Sequence, residues 1–169
     1  MDFNKLLQNA RESKFVMWKL NFLLQRFIPF NKPHDLKVIC VEPNKVQVKM
    51  PYRKSNLNHI KGLHACGLAT AAEYSSGLLL LSRLSMKNYR IIMESIEVKY
   101  SYQGKTDAIA TYELSDEEYQ QTVIEPIEKD GIAYKECTIY LHDSKGNLLC
   151  TAKTNWQIKS WKDVKTKVA

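Results

Sequence analysis

Residues 58–81 read NHIKGLHACGLATAAEYSSGLLLL and contain a single side chain that could act as a base within an apolar run. Glu73 is the only charged residue between His64 and Arg83. An isolated carboxylate in an apolar site is costly unless it is paired, protonated or facing a cavity. Burial would raise its affinity for protons, which suits a general base or a nucleophile. The sequence predicts a catalytic Glu73 facing a cleft; the structural alternative is that it caps backbone groups or pairs with Arg83, Arg90 or a neighbouring subunit.

A second group of chemical interest precedes this carboxylate. Asn58 and His64 are polar residues ahead of a helix expected to begin near His64, and Gly62 permits a tight approach to it. The first N–H groups of a helix have no partners inside it, and the helix dipole favours negative charge there. The N–H of Ala65 could therefore stabilise a carbonyl oxygen that gains charge during acyl transfer. The structural alternatives are that His64 is a helix cap and that Asn58 is a turn residue.

The distance between these two groups predicts an oligomer. Glu73 follows Ala65 by two helical turns, which is roughly 12 Å along the axis at about 1.5 Å per residue. One carbonyl group cannot contact both at that distance. A dimer with antiparallel central helices would bring the N–H donors of one subunit to the carboxylate of the other. We therefore expect a homodimer or a dimer of dimers.

The elements that must position these residues are visible in the hydrophobic periodicity. Residues 36–42 and 45–52 form two short strands, the second with strict alternation. Residues 64–83 are apolar on nearly every side, which is typical of an enclosed helix. From Tyr89 onward a period of two returns in four segments, which we expect to run as meander-like hairpins. This order predicts an α+β fold, in which a long central helix is wrapped by an antiparallel sheet of about five to six strands.

The chain of 169 residues fits one domain. We expect an N-terminal helix over residues 3–28, ended by Pro29, a core over 36–161 and a loose tail over 162–169. The second half of the N-terminal helix, FVMWKLNFLLQRFIPF, is apolar over more than one face. It is expected to lie on the core or on a dimer partner; the alternative is a surface that touches acyl chains or a membrane.

The formal net charge of +7 is concentrated in the first third of the chain. Residues 1–59 carry eleven Lys or Arg and four Asp or Glu, whereas residues 60–169 carry fourteen of each. This distribution favours an anionic partner, such as a phosphate-bearing ligand, nucleic acid or an acidic lipid surface. The sequence contains no recognised nucleic-acid motif, so nucleic acid is not expected as the partner.

Other features bear on the compartment and on metal binding. Cys40, Cys66, Cys137 and Cys150 have no CxxC spacing and lie in apolar stretches, which predicts reduced, buried thiols in a cytoplasmic protein. The four histidines form no ligand cluster with cysteine, so no metal site is predicted. Neither a secretory signal nor a membrane span is expected, because charges begin early and Glu73 interrupts the longest apolar run.

Asn58, the pair His64-Ala65 and Glu73 are separated by five and seven residues. This spacing resembles the hotdog-fold acyl-CoA thioesterases of the phenylacetate-pathway type, in which Asn, then His-Gly, then Asp or Glu eight residues past the Gly occur in order. The order of two strands, a helix and four strands is also theirs. The longer helix ending in IPF, the stretch PYRKSNLNH and the acidic residues at 115–118 are more similar to a bacterial branch of that superfamily classed as a domain of unknown function. The resemblance covers most of residues 3–160.

The resemblance implies a hotdog fold and a residue-by-residue assignment of the site. Glu73 would be the base or nucleophile. Ala65, with Cys66 beside it, would supply the oxyanion N–H. Asn58 would orient water or the thioester, and His64 would position the loop or the carbonyl.

The sequence departs from the family at one point, where His-Gly is replaced by His-Ala followed by Cys66-Gly67. Cys66 and Gly67, which belong to this altered turn, are therefore assigned to substrate binding. Backbone donation survives a Gly-to-Ala change unless the turn requires a positive φ. Basic residues are candidates for binding the phosphates of coenzyme A, although a solvated face is the default interpretation of each of them. The candidates are Arg53, Lys54, Lys61, Arg83, Lys87 and Arg90.

The function implied is hydrolysis of an acyl-CoA or related acyl thioester, with an acyl-carrier thioester as the other substrate class. No separate cofactor is expected, because coenzyme A enters as part of the substrate. The alternative is a non-catalytic hotdog protein that binds acyl-CoA or fatty-acyl groups. Membrane contact through the N-terminal helix is a less favoured alternative.

Overall fold

The computed structural model describes residues 3–164, which form a six-stranded sheet and five α-helical segments. In chain order the helices are α1 (Phe3–Glu12), α2 (Lys14–Phe27), α3 (Ala65–Arg83), α4 (Asp116–Tyr119) and α5 (Glu125–Asp130). The strands are β1 (Lys37–Glu42), β2 (Lys45–Met50), β3 (Tyr89–Tyr100), β4 (Ala108–Glu113), β5 (Ile132–Asp143) and β6 (Leu148–Ser160). A π-helical turn, Gln120–Ile124, joins α4 to α5.

The sheet is antiparallel throughout, in the order β1-β2-β4-β5-β6-β3. Helix α3 contacts five of the six strands, and most of its residues are buried. Its fully buried positions include Ala71, Ala72, Leu79 and Leu80. Small and apolar residues on several faces explain why a helix can lie enclosed in this way. The predicted α+β architecture of a long helix within an antiparallel sheet is confirmed, with six strands.

The predicted single helix over residues 3–28 is instead two helices. Ser13 has extended backbone angles, φ −134 and ψ 119, and its hydroxyl oxygen accepts a hydrogen bond from the Val16 N–H at 3.4 Å. Serine caps a helix start better than it continues a helix, because its side chain replaces the missing backbone acceptor. Helix α2 ends at Phe27, two residues before Pro29, as predicted.

The predicted meander is wrong at its first connection, because β3 does not pair with β4. Strands β4, β5 and β6 are consecutive antiparallel neighbours, and the tight β5–β6 hairpin turn contains Gly146 at φ 84. Strand β3 pairs with β6 at the sheet edge, whereas β4 lies beside β2 near the opposite edge. The acidic segment between β4 and β5 is helical and ends at Gly131, whose φ of 71 is the left-handed conformation common after a helix. Alternation identifies strands but not their neighbours, which depend on long-range contacts.

The end of the described chain is bound to the connection between α3 and β3. Trp161 donates its indole N–H to the Met86 carbonyl at 2.9 Å, within a 3₁₀ turn over Trp161–Asp163. Most of the predicted loose tail, residues 165–169, lies outside the described residues. Over residues 3–164, none of the helices has both the length and the hydropathy required to cross a bilayer.

Candidate functional site

The start of α3 is capped by the residue that precedes it. His64 has extended angles, φ −70 and ψ 133, and its Nδ1 accepts the Cys66 N–H at 3.1 Å. The first hydrogen bond of helical type runs from the Leu68 N–H to the His64 carbonyl at 3.1 Å. The N–H groups of Ala65 and Gly67 donate to no atom of the described chain. The helix therefore retains two free donors, while the donor at Cys66 is satisfied internally.

The loop before α3 is shaped by Asn58. Its Oδ1 accepts the Gly62 N–H at 2.9 Å and the Ile60 N–H at 3.1 Å, and its own N–H donates to the Gly62 carbonyl at 2.8 Å. These bonds are those of a turn residue, which is the structural alternative. The Asn58 Nδ2 has no acceptor among the described residues, so it is free to donate to a ligand. Its role toward substrate stays a prediction.

Asn56, which no sequence pattern singles out, anchors this loop. It is buried, and its Nδ2 donates to the carbonyls of Pro51 at 2.8 Å and His34 at 2.9 Å. Its Oδ1 lies 3.1 Å from His34 Nδ1, and its carbonyl accepts the His64 N–H at 2.8 Å. The only sequence signal was a second asparagine in a polar loop, which does not distinguish a buried amide from an exposed one.

Tyr52 braces the same loop from the other side. Its hydroxyl donates to the Lys61 carbonyl at 2.7 Å, and its N–H donates to Asp107 Oδ1 at 2.7 Å. The N–H bond lowers the pKa of Asp107 below its ordinary value, with a further contribution from Lys49 at 3.2 Å. The residues from Tyr52 to the start of α3 are thus held at several points.

Glu73 is partly buried, and its carboxylate has no hydrogen bond or ion pair to any described residue. Burial raises the pKa of its carboxyl above the ordinary value. The two arginines proposed as structural partners are engaged elsewhere: Arg83 donates to Asp116 Oδ1 at 2.7 Å, and Arg90 donates to Gln157 Oε1 at 2.8 Å. An ion pair within residues 3–164 therefore does not explain this carboxylate.

A cavity of about 140 Å³ lies beside Glu73, between α3 and α2. A larger cavity of about 510 Å³ shares three of its apolar lining residues and extends beneath α2. The shared residues are Leu24, Ile28 and Leu81, and the larger cavity is also lined by Leu6, Leu23, Phe27 and Met86. The carboxylate therefore adjoins an apolar space whose lining contains no charged side chain.

Trp156 forms one wall of the smaller cavity and is held in a fixed orientation. Its indole N–H donates to Thr154 Oγ1 at 3.0 Å and to Ser76 Oγ at 3.1 Å, and all three side chains are buried. Gly77 permits the approach, since a Cβ there would lie 2.8 Å from the indole ring. This wall was missed because Trp156 occupies an ordinary position in the strand pattern.

The predicted phosphate-binding cations are divided between two elements. Arg53 pairs with Asp35 at 3.3 Å and Lys54 is exposed, both on the loop that leads toward α3. Arg90 lies on β3, where it bonds to Gln157. No hydrogen bond or ion pair among the described residues joins these three cations.

The prediction that all four cysteines are buried is wrong for two of them. Cys137 and Cys150 are buried, and burial raises their pKa values to about 11 and about 12. Cys40 is half-buried and Cys66 is exposed, because Cys66 occupies the outer side of the first turn of α3. All four are free thiols. Between residues 3 and 164, no group of three or more His, Cys, Asp or Glu residues could hold a metal ion.

Within one chain, the structure gathers part of the predicted site. Asn58, His64, Ala65 and Gly67 lie together at the start of α3. Glu73 lies on the same helix, roughly 12 Å further along its axis. The donors and the carboxylate of one chain therefore cannot reach the same carbonyl group.

Comparisons with known proteins define the family and the fold. The family model described as "Domain of unknown function (DUF4442)" matches residues 17–158. A solved structure from Pseudomonas aeruginosa, described as a protein of unknown function and probable thioesterase, is 24% identical with a TM-score of 0.77, over 85% of this chain and 95% of that one. Thioesterase HI1161 from Haemophilus influenzae is 12% identical with a TM-score of 0.69, over 93% and 99%.

Thioesterase SAV0944 from Staphylococcus aureus, solved as a mutant, is 13% identical with a TM-score of 0.63, over 78% of this chain and 98% of that one. A comparison with curated protein sequences gives no match. The described chain has the hotdog fold, as the resemblance implied, and it belongs to the DUF4442 family, a domain of unknown function.

Proposed function

We propose that this protein hydrolyses an acyl thioester, carried by coenzyme A or an acyl-carrier protein, at a site shared by two subunits. The observation that supports this most directly is the unpaired, desolvated Glu73 beside an apolar cavity. The solved structures with the same fold that are described as thioesterases are consistent with it.

The second subunit is inferred from the free edge of the sheet. Strand β3 has twelve residues, and among residues 3–164 it pairs on one side alone, with β6. Ile92, Ile96 and Tyr100 on this strand are exposed. A long, uncovered edge strand with apolar side chains is a template for pairing with another copy of the chain. Antiparallel pairing of two β3 strands about a two-fold axis would continue the sheet.

This pairing would also complete the site. At one end of β3, the Tyr100 hydroxyl donates to the Ala65 carbonyl at 2.9 Å, so this end lies at the start of α3. Toward the other end, Ile91 lines the cavity beside Glu73. Antiparallel pairing places the Tyr100 end of one strand beside the Ile91 end of its partner. The free N–H groups of one subunit would then approach the Glu73 carboxylate of the other.

The chemistry follows from these groups. Glu73 removes a proton from a water molecule as the water oxygen attacks the thioester carbonyl carbon. The carbonyl oxygen gains negative charge, which the free N–H groups of the partner subunit's Ala65 and Gly67 stabilise. Collapse of this intermediate re-forms the carbonyl and breaks the C–S bond. The sulfur leaves as the thiol with the proton from Glu73, and the acid product remains.

The cavities indicate where the rest of the substrate lies. An acyl chain would extend from the carbonyl past Trp156 into the apolar space beneath α2. The Nδ2 of Asn58 would orient the water or the thioester. Arg53 and Lys54, which are exposed near the helix start, would contact the phosphates of coenzyme A.

The test is release of free thiol from short-, medium- and long-chain acyl-CoA by the wild type and by Glu73→Gln. We expect Glu73→Gln to lower kcat by roughly 10²- to 10⁴-fold, the usual contribution of a general base. The matched control is Glu128→Gln, which removes an exposed carboxylate of α5 and should leave kcat unchanged. Equal rates for Glu73→Gln and wild type would refute the proposal. Saturable binding of acyl-CoA without turnover by the wild type would instead identify a non-catalytic acyl-binding protein.

A further inference from the structure

The outer face of α2 carries three exposed aromatic side chains that touch one another. Phe15, Trp18 and Phe22 are 70%, 62% and 60% exposed, and their ring centroids are 5.9 and 6.0 Å apart in sequence order. Spacings of three and four residues put them on one side of the helix. Leu20 and Leu24, which are buried against the core, lie on the other side. We call the three exposed residues the aromatic face.

Two further apolar side chains follow, Phe27 at the last position of α2 and Phe30 beyond it, and both are more than half exposed. Single exposed apolar side chains are common in soluble proteins, whereas a contiguous group marks an interaction surface. Nothing in the core requires these rings, because Leu20 and Leu24 already fix α2 to the protein.

Positive charge surrounds the aromatic face. Lys19 and Arg26 lie beside it at helical spacing, and both are exposed. Lys14 precedes it and Lys32 follows it, and none of these four cations has an ion pair with a residue between 3 and 164. From residue 3 to residue 34 the sequence contains one acidic residue, Glu12.

The charge decides what can cover this face. In a two-fold contact between copies, the same patch meets itself, so the cations on one helix would face those on the other. An anionic bilayer satisfies both features at once, because aromatic rings are stable at the depth of the headgroups and Lys or Arg are attracted to lipid phosphates.

We propose that α2 and the turn after it dock in the plane of an anionic lipid bilayer, through the aromatic face and its flanking cations. The opposite side of α2 lines the cavities that adjoin Glu73. A docked molecule would therefore hold the apolar cavities directly above the lipid surface. This inference does not depend on thioester hydrolysis.

The test is flotation of the full-length protein with vesicles of phosphatidylcholine alone and of phosphatidylcholine with phosphatidylglycerol. We expect co-flotation with the anionic vesicles, reversed by high salt. Trp18→Ser/Phe22→Ser should weaken binding at least about tenfold, and Lys19→Glu/Arg26→Glu should remove the preference for anionic lipid. The matched control, Tyr134→Ser/Tyr140→Ser, removes two exposed aromatic rings from β5 and should bind as wild type does.

Thermal melts by circular dichroism should show that all three variants remain folded, since every altered side chain is exposed. Anionic vesicles should shift the tryptophan emission maximum of the wild type to shorter wavelength. The Trp18→Phe variant should not show this shift. Absence of flotation, or equal flotation with both kinds of vesicle, would overturn the proposal. A second result would also overturn it: the wild type forms a dimer and binds no vesicles, and Trp18→Ser/Phe22→Ser no longer forms that dimer. The aromatic face would then be a contact between copies of the chain.

Discussion

His64 Nδ1 accepts the backbone N–H of Cys66 at 3.1 Å, so a side chain satisfies one of the donors at the start of α3. A neutral ring that accepts at Nδ1 carries its proton on Nε2. The cap leaves the N–H groups of Ala65 and Gly67 free, and it holds the loop at the angle from which α3 begins. The Nδ1 atom of His64 therefore has a structural role as the helix cap, which is distinct from any contact of the ring with substrate.

The first prediction concerns this cap. His64→Ala should lower the free energy of unfolding by about 1 kcal/mol, the usual cost of losing a helix cap. His64→Asn should keep both stability and activity, because asparagine is also a good cap. Urea denaturation measures the first effect and thiol release the second. Unchanged stability in His64→Ala would show that the cap contributes nothing, and a stable but inactive His64→Asn would show that the ring does more than cap.

The second prediction tests the shared site. Ala65→Pro removes one free N–H, yet proline suits the first helical position, and the extended angles of His64 are those favoured before proline. Ala65→Pro and Glu73→Gln should each be folded and nearly inactive. A heterodimer of the two variants has one site with both changes and one site with neither, so we expect up to half of the wild-type activity to return.

Circular dichroism of each variant alone is the control for this experiment. If the donor and the carboxylate acted within one chain, every site in the mixed dimer would contain a defect. No activity would then return, which would contradict a site at the subunit interface.

The third prediction follows from the raised pKa of Glu73. A general base acts when deprotonated, so kcat should fall with decreasing pH at a pH above the ordinary carboxyl pKa of about 4.3. Because the folded pKa exceeds the unfolded pKa, this group stabilises the fold most at low pH, and stability is lost as pH rises through the folded pKa. Glu73→Gln should therefore be more stable than wild type at neutral pH.

Urea denaturation across a pH series would measure this difference. The difference in unfolding free energy between Glu73→Gln and wild type should shrink as pH falls toward the ordinary pKa of a carboxyl group. Glu128→Gln should show no such trend. A Glu73→Gln protein that is less stable than wild type at neutral pH would indicate that the carboxylate has a favourable partner, for example across the dimer.

The fourth prediction concerns the close approach of α3 to β2. A Cβ at Gly67 would overlap the Met50 Cε, and Met50 is fully buried. Gly67→Ala should therefore lower the free energy of unfolding by about 1–3 kcal/mol, although alanine is the better helix former. Met50→Val removes the obstructing atoms. The double variant Gly67→Ala/Met50→Val should therefore lose less stability than the sum of the losses in the two single variants. Additive losses would show that the contact does not limit the approach.

The fifth prediction concerns the ion pair that joins α4 to β5. Lys135 is 3% exposed and its ammonium group donates to Glu118, which is half exposed. Glu118→Gln should destabilise the fold by about 2 kcal/mol, because the lysine would remain buried without its counter-charge. The loss should be smaller than for a fully buried pair, because Glu118 is half exposed and solvent screens the interaction. Lys135→Met should change the unfolding free energy by less than about 1 kcal/mol. Equal losses in the two variants would contradict this reasoning.

Several features of the fold could be predicted because they depend on residues close in sequence. The enclosed helix, the β5–β6 hairpin around Gly146 and the helix end before Pro29 all follow from local spacing and turn chemistry. The break at Ser13 and the helical acidic segment were missed, since their local signals are weak and depend on capping at single residues.

The sequence by itself determined that Glu73 stands alone in a buried helix and that unpaired N–H donors precede it, because both depend only on residue type and helical spacing. Tertiary structure alone decided what surrounds them: the cavities beneath α2, the Trp156 wall, the Asn56 anchor and the position of β3 at the sheet edge. These arise from contacts between residues far apart in the chain. Which strand pairs with which, and which helix covers a cavity, is decided by the total free energy of such contacts and not by any local pattern.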